Sequence, residues 1–153
     1  MLSARCLKLA GLYLVLGMSL GIFMGVTQNF SLVPVHVHTN LLGWATLALA
    51  AVVFRLWPQT AVTRLAQIFF WIYNLCLPVA MVSLGLHLTQ HDFVWLMPVV
   101  ISAHLGVWLG AVLFVANLFW SIPANEEPSA RKNTYGGGET FGPGTGGNRE
   151  VSA

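Results

Sequence analysis

The sequence predicts an all-α membrane protein, a four-transmembrane-helix bundle with both termini on the inner side and a disordered C-terminal tail. Three observations predict it. Of 153 residues, 56% are apolar and 8% charged, with a mean hydropathy of +0.72, which excludes the surface of an ordinary water-soluble domain. Four apolar stretches, each long enough to cross about 30 Å of hydrocarbon, occupy most of the chain. All seven Lys and Arg, namely Arg5, Lys8, Arg55, Arg64, Arg131, Lys132 and Arg149, fall in segments that four crossings place on one side. That side is then the cytoplasm, and a multi-pass location in a bacterial inner membrane is expected.

The first span, residues 9–26, follows Arg5 and Lys8 and has the flank of a secretory signal. Its apolar run exceeds a signal core, and Thr27-Gln28-Asn29-Phe30 offers no small-residue cleavage site, so it is expected to remain as a helix. The second span, 35–56, has Pro34 where a helix start tolerates it and Pro58 just past its end. The third, 65–88, contains Pro78, which in a membrane bends a helix rather than ending it, because neighbouring helices re-satisfy the freed carbonyl. The fourth, 93–120, is longer than a crossing needs, so its first turn, near Trp95 and Pro98, is expected in the interface. Trp57 and Trp120 on the inner side and Trp95 on the outer fit an aromatic belt.

Residues 1–121 thus read as one transmembrane domain. Residues 122–153, rich in Gly, Pro, Ser and Glu, have too little apolar area to fold and read as a disordered cytoplasmic tail. The tail's glycines lack the Gly-Lys-Ser/Thr ending of a phosphate loop. No basic cluster is interleaved with aromatics, which removes nucleic acid as a partner and leaves the lipid bilayer.

Gly17, Gly21 and Gly25 in the first span, and Gly106 and Gly110 in the fourth, are spaced four apart. Such glycines share a helix face and let backbones approach closely, within one chain or across a homodimer. His87, Ser83, Ala80, Cys76 and Tyr73 form a second stripe, on the third span. It reads either as an inter-helix seam or as one wall of a cofactor cavity. Cys6 and Cys76 lie at different depths, too far apart to bridge, and neither sits in a paired metal motif.

The five histidines, His36, His38, His87, His91 and His104, all fall in the outer half of the spans or the outer loop. Ionisable groups at such depth are rare and face the bundle interior. A neutral imidazole is an axial ligand for haem iron, and two on different helices make a six-coordinate b-type haem. Depth matches His38 with His104 and also with His87; the first pair is preferred. Trp108, four residues after His104, and Trp44 would flank a haem there. His36 points nearly opposite to His38 and reads as interfacial. His87 and His91, four apart, offer a pair usable by copper or zinc. His104 alone reads equally as a hydrogen-bonded packing residue.

The segment His36-Val-His-Thr-Asn-Leu-Leu-Gly-Trp44 resembles the second transmembrane helix of haem-copper oxidase catalytic subunits, above all the cbb3-type cytochrome oxidase and nitric oxide reductase branches. There a His-Thr-Asn motif supplies a low-spin haem ligand, and His38 takes that position. The run Asn-Leu-Cys-Leu-Pro-Val-Ala-Met-Val, Asn74 to Val82, is similar to small four-helix bacterial proteins grouped with cytochrome c oxidase subunit I. That likeness extends over residues 11–120. The resemblance implies haem b, a role in electron transfer or respiratory-complex function, and respiratory subunits as partners.

The departures are specific. A complete catalytic subunit of that family has many more helices and a trio of copper histidines. In this chain no His is followed four residues later by Tyr, and Pro34 and Val35 stand where a basic residue often precedes the motif. Tyr73 stands near the place where small members carry a histidine. The histidine set of an oxygen-reducing centre is therefore incomplete, so enzymatic activity stays open only as a catalytic fragment working with partner subunits. A cofactor-free membrane scaffold or assembly protein is the remaining reading.

Overall fold

The computed structural model describes residues 1–89 and 94–123. Four long helices, α1 (Leu2–Thr27), α2 (Val33–Leu56), α4 (Arg64–Thr89) and α5 (Met97–Ser121), are each apolar enough to cross a membrane. A one-turn helix, α3 (Pro58–Ala61), joins α2 to α4, and a 3-10 turn at Val94–Leu96 leads into α5. The described residues contain no strand, and the fold is the four-helix membrane bundle that the sequence predicts. The tail from residue 124 onward, expected to be disordered, lies outside the described residues, as does His91.

Helix boundaries obey the backbone more than the hydropathy. α1 begins at Leu2, well before residue 9, because the first turns still have something to pack: Leu2 and Cys6 are buried. The helix stops at Gln28, which takes the left-handed conformation (φ 53°) and returns its side-chain amide to the Gly25 carbonyl. Pro34 and Pro98 sit in the first turns of α2 and α5, where no amide is needed. α4 runs unbroken through Pro78.

The bundle is two helical hairpins, α1 with α2 and α4 with α5. Glycines supply the close approaches. A Cβ on Gly17 would lie 2.5 Å from the Asn40 side chain, on Gly21 2.9 Å from the His36 ring, and on Gly43 2.6 Å from the Tyr13 ring. In the second hairpin Gly106 receives Cys76, and a Cβ on Gly110 would stand 2.9 Å from the Tyr73 ring. The choice between contacts within the chain and across a dimer thus resolves within the chain at Gly17, Gly21, Gly106 and Gly110. Gly11 and Gly25 meet nothing. The stripe on α4 packs as a seam: Tyr73 and Ala80 are fully buried, Cys76 lies on Gly106, and Ser83 bonds its own helix at the Ala80 carbonyl.

Two features join the hairpins toward the basic end. Phe54 of α2 stacks with Phe114 of α5 (centroids 5.8 Å) and Phe69 of α4 (6.3 Å), and Phe69 continues to Phe114 at 5.0 Å. Beside them Asn117, fully buried, donates to the Thr60 carbonyl at 2.9 Å and accepts from the Thr63 hydroxyl at 2.7 Å and from Ser121 at 3.2 Å. Thr63 in turn accepts the Ala66 amide at 3.0 Å, opening α4. A buried amide bonded through both its nitrogen and its oxygen welds the α2–α4 connection to the end of α5.

This packing can be tested at two points. Asn117→Ala should lower stability in detergent by about 1–2 kcal/mol, because it removes the bonds to Thr60 and Thr63 together, whereas Ser121→Ala should cost little; thermal unfolding followed by circular dichroism measures both. Gly43→Ala should destabilise through the Tyr13 clash, while Gly11→Ala should hold or slightly raise the melting temperature, since alanine is the better helix former by about 1 kcal/mol.

Candidate functional site

The second helix is not α-helical throughout. Residues Thr39–Ala45 form a π-helical segment between α-helical turns Val33–His38 and Thr46–Leu56. The wide turn begins directly after His38. One extra residue in a helix rotates the turns before it by about 100° relative to the turns after it. The direction in which His36 and His38 point is therefore set by this segment as well as by their place in the sequence.

Such a segment releases a carbonyl. The Thr46 amide bonds the Leu41 carbonyl, five residues back, and its hydroxyl bonds the same oxygen at 2.9 Å. With α-helical register resuming at Thr46, the Leu42 carbonyl has no main-chain donor, a costly state in a membrane. The Tyr73 hydroxyl of α4 donates to it at 3.0 Å. Tyr73 is fully buried, its ring against Gly110. Tyr73 thus holds the π segment.

Above this support, α2 presents its two histidines to different neighbours. His36 turns to α1, its Nδ1 2.8 Å from the Gly17 carbonyl and its ring over Gly21. It packs between helices rather than at the interface. His38 turns to α5, where its ring meets that of His104, centroids 5.8 Å apart and planes at 85°. Helical rise puts His38 about 8 Å and His104 about 10 Å from the starts of their helices, matching depths.

Both rings are fixed in the same way. His38 Nδ1 lies 2.7 Å from the Pro34 carbonyl and His104 Nδ1 2.7 Å from the Val100 carbonyl, each one turn back on its own helix. A carbonyl only accepts, so Nδ1 carries the proton in both rings, and a neutral ring then keeps its lone pair on Nε2. That is the tautomer of a metal-binding imidazole whose other nitrogen is anchored by a backbone oxygen. Pro34 suits its role twice: it starts the helix, and its carbonyl is the one that orients His38.

The pair lies in a cavity of about 560 Å³, walled by Leu84 of α4 and by Val100, Ile101, Leu105 and Trp108 of α5. Trp108, 63% exposed, and Leu105, 58% exposed, form an outer lip, so the cavity opens sideways toward lipid. Trp108 lines the cavity. Trp44 does not: it sits in the π segment, 41% exposed and outside the cavity lining. His87 does not line the cavity either, although Leu84, three residues earlier, does. Its Nδ1 is buried without a hydrogen-bond partner among the described residues. The expected His87–His91 pair includes a residue outside the described ones. Among the described residues no three His, Cys, Asp or Glu side chains converge as a metal site.

Comparison of the chain with family models, characterised proteins and solved structures gives no match. The class that fold and composition define is a multi-pass, four-helix membrane protein.

The π segment had no signal in composition; only the alignment of Tyr73 with the level of Leu42 could have hinted at it. Removing its support is a direct check. Tyr73→Phe keeps the ring on Gly110 but strands the Leu42 carbonyl, with an expected cost of about 1 kcal/mol. Hydrogen exchange should quicken selectively at the amides of residues 42–47, and unchanged exchange would show that the bond does not hold the segment.

Proposed function

We propose that the chain binds one haem b between α2 and α5, which His38 and His104 would hold, and carries electrons in a membrane respiratory system. The observation that supports this most is the disposition of the two imidazoles. Metal–imidazole bonds are about 2 Å long, so two imidazoles that would hold one metal ion need ring centres roughly 6 Å apart. The rings of His38 and His104 stand 5.8 Å apart. With Nδ1 of each ring anchored on a backbone carbonyl, Nε2 is the nitrogen that would bind a metal.

The residues divide the work. The Pro34 and Val100 carbonyls hold the two rings against rotation and raise their basicity as ligands. Leu84, Val100, Ile101, Leu105 and Trp108 keep water from the site and lower its dielectric. The bound group itself would supply one-electron chemistry. Held by two imidazoles, the group would be suited to electron transfer rather than to oxygen reduction. The likeness of His38-Thr39-Asn40 to the oxidase motif agrees with this role. Among the described residues no Lys or Arg stands at this end of the bundle to pair with propionates, so affinity would rest on the two imidazoles and the apolar walls.

A second reading has its own support. With no three-residue metal group among the described residues and no matching family, a cofactor-free membrane scaffold or assembly protein needs nothing beyond the packing described above. The two rings would then be an edge-to-face contact between helices. One experiment separates the readings. Protein expressed with ample haem and purified in detergent should show a six-coordinate b-type reduced-minus-oxidised spectrum at about one haem per chain. His38→Ala and His104→Ala should each remove or change that spectrum, and His87→Ala should leave it. A folded, colourless wild-type protein would overturn the haem reading in favour of the scaffold.

A further inference from the structure

A second cavity lies at the basic end, apart from the paired histidines. It measures about 630 Å³ and is formed by the start of α1, the end of α2 and α3, with walls that include Ala4, Leu7, Val52, Leu56 and Val62. Arg55 is the one Lys or Arg in its lining. The volume is that of a ligand pocket rather than a packing defect. Val62, 81% exposed, lies on the short connection between two spans, which topology puts at the membrane surface.

Among the described residues the charge of Arg55 meets no acid, since they contain no Asp or Glu; Asp92 and the four glutamates beyond residue 125 lie outside them. Arg5, Lys8 and Arg64 share the basic end and are exposed, as Arg55 is, but stand outside the cavity lining. A pocket that is apolar along its walls and carries one guanidinium matches an amphiphile with an anionic head. A guanidinium engages phosphate oxygens in a bidentate fork, and basic pockets between membrane helices take anionic headgroups on the cytoplasmic side.

We infer that this cavity binds one anionic glycerophospholipid of the adjoining leaflet, with the phosphate on Arg55 and the first part of an acyl chain along Leu7, Val52 and Leu56. The site is independent of haem. The test is native mass spectrometry of the full-length protein in detergent, titrated with phosphatidylglycerol or with phosphatidylcholine. The wild type should retain a single phosphatidylglycerol in preference to phosphatidylcholine. Arg55→Gln should weaken that retention about fivefold, the weight of one basic residue at an anionic surface, and Arg55→Lys should restore part of it. Arg64→Gln, a charge of the same face outside the cavity, should leave it unchanged, and Ala4→Trp should abolish it by filling the pocket with Arg55 intact. Millimolar inorganic phosphate should not compete. Equal retention of the two lipids would overturn the proposal; that outcome includes the case in which glutamates beyond residue 125 neutralise Arg55. Equal losses in the Arg55 and Arg64 variants, undiminished retention in Ala4→Trp, or displacement by phosphate would overturn it as well. Circular dichroism of each variant confirms that a loss is not unfolding.

Discussion

Lipid removes the force that folds most proteins. Leucine and valine gain nothing by leaving hydrocarbon for a helix interface, so cohesion here falls to close backbone approach and to hydrogen bonds that hydrocarbon cannot supply. Each contact between helices in this chain answers that constraint. Gly17, Gly21 and Gly43 let α1 and α2 settle around Asn40, His36 and Tyr13, and Gly106 and Gly110 do the same for α4 and α5 around Cys76 and Tyr73. Between the hairpins the bonds are few and buried: Tyr73 to the Leu42 carbonyl, and Asn117 with Thr60 and Thr63. Polar side chains that would be surface residues in a soluble protein are here the fasteners.

The paired histidines sit across the joint between the hairpins. His38 belongs to the first hairpin and His104 to the second, so their separation depends on how the two halves dock. That docking is governed from the opposite end by the Phe54, Phe69 and Phe114 cluster and in the middle by Tyr73. The π segment lies between these supports and His38. It is held on one side by Tyr13 and Asn40 against α1 and on the other by Tyr73. A local irregularity, costly by itself, thus becomes a fixed offset in the direction of one side chain.

The same physics decides how much could be read from residues alone. The four spans and their order were legible, because hydropathy and the placement of Lys and Arg are averages over many residues. The opposite aim of His36 and His38, and the shared depth of His38 and His104, came from helix geometry. The partner of each glycine did not, since the same spacing serves contacts within a chain and between chains. Trp44 lies in the π segment, outside the lining of the cavity that His38 and His104 share. Asn117 passed unnoticed as a single polar residue near a helix end, and only the return of the α3 turn beneath it reveals what it binds.

The Asn117 weld also bears on how the protein is made. Spans enter the membrane in chain order, and helices associate after insertion. The Thr60 carbonyl and the Thr63 hydroxyl emerge from the ribosome with the first half of the chain, while their partner arrives at the very end of the last span. Until then the turn after α2 is an unlatched, polar feature at the membrane surface. The connection between the second and third spans therefore gains its last hydrogen-bond partners only when the final span is in place.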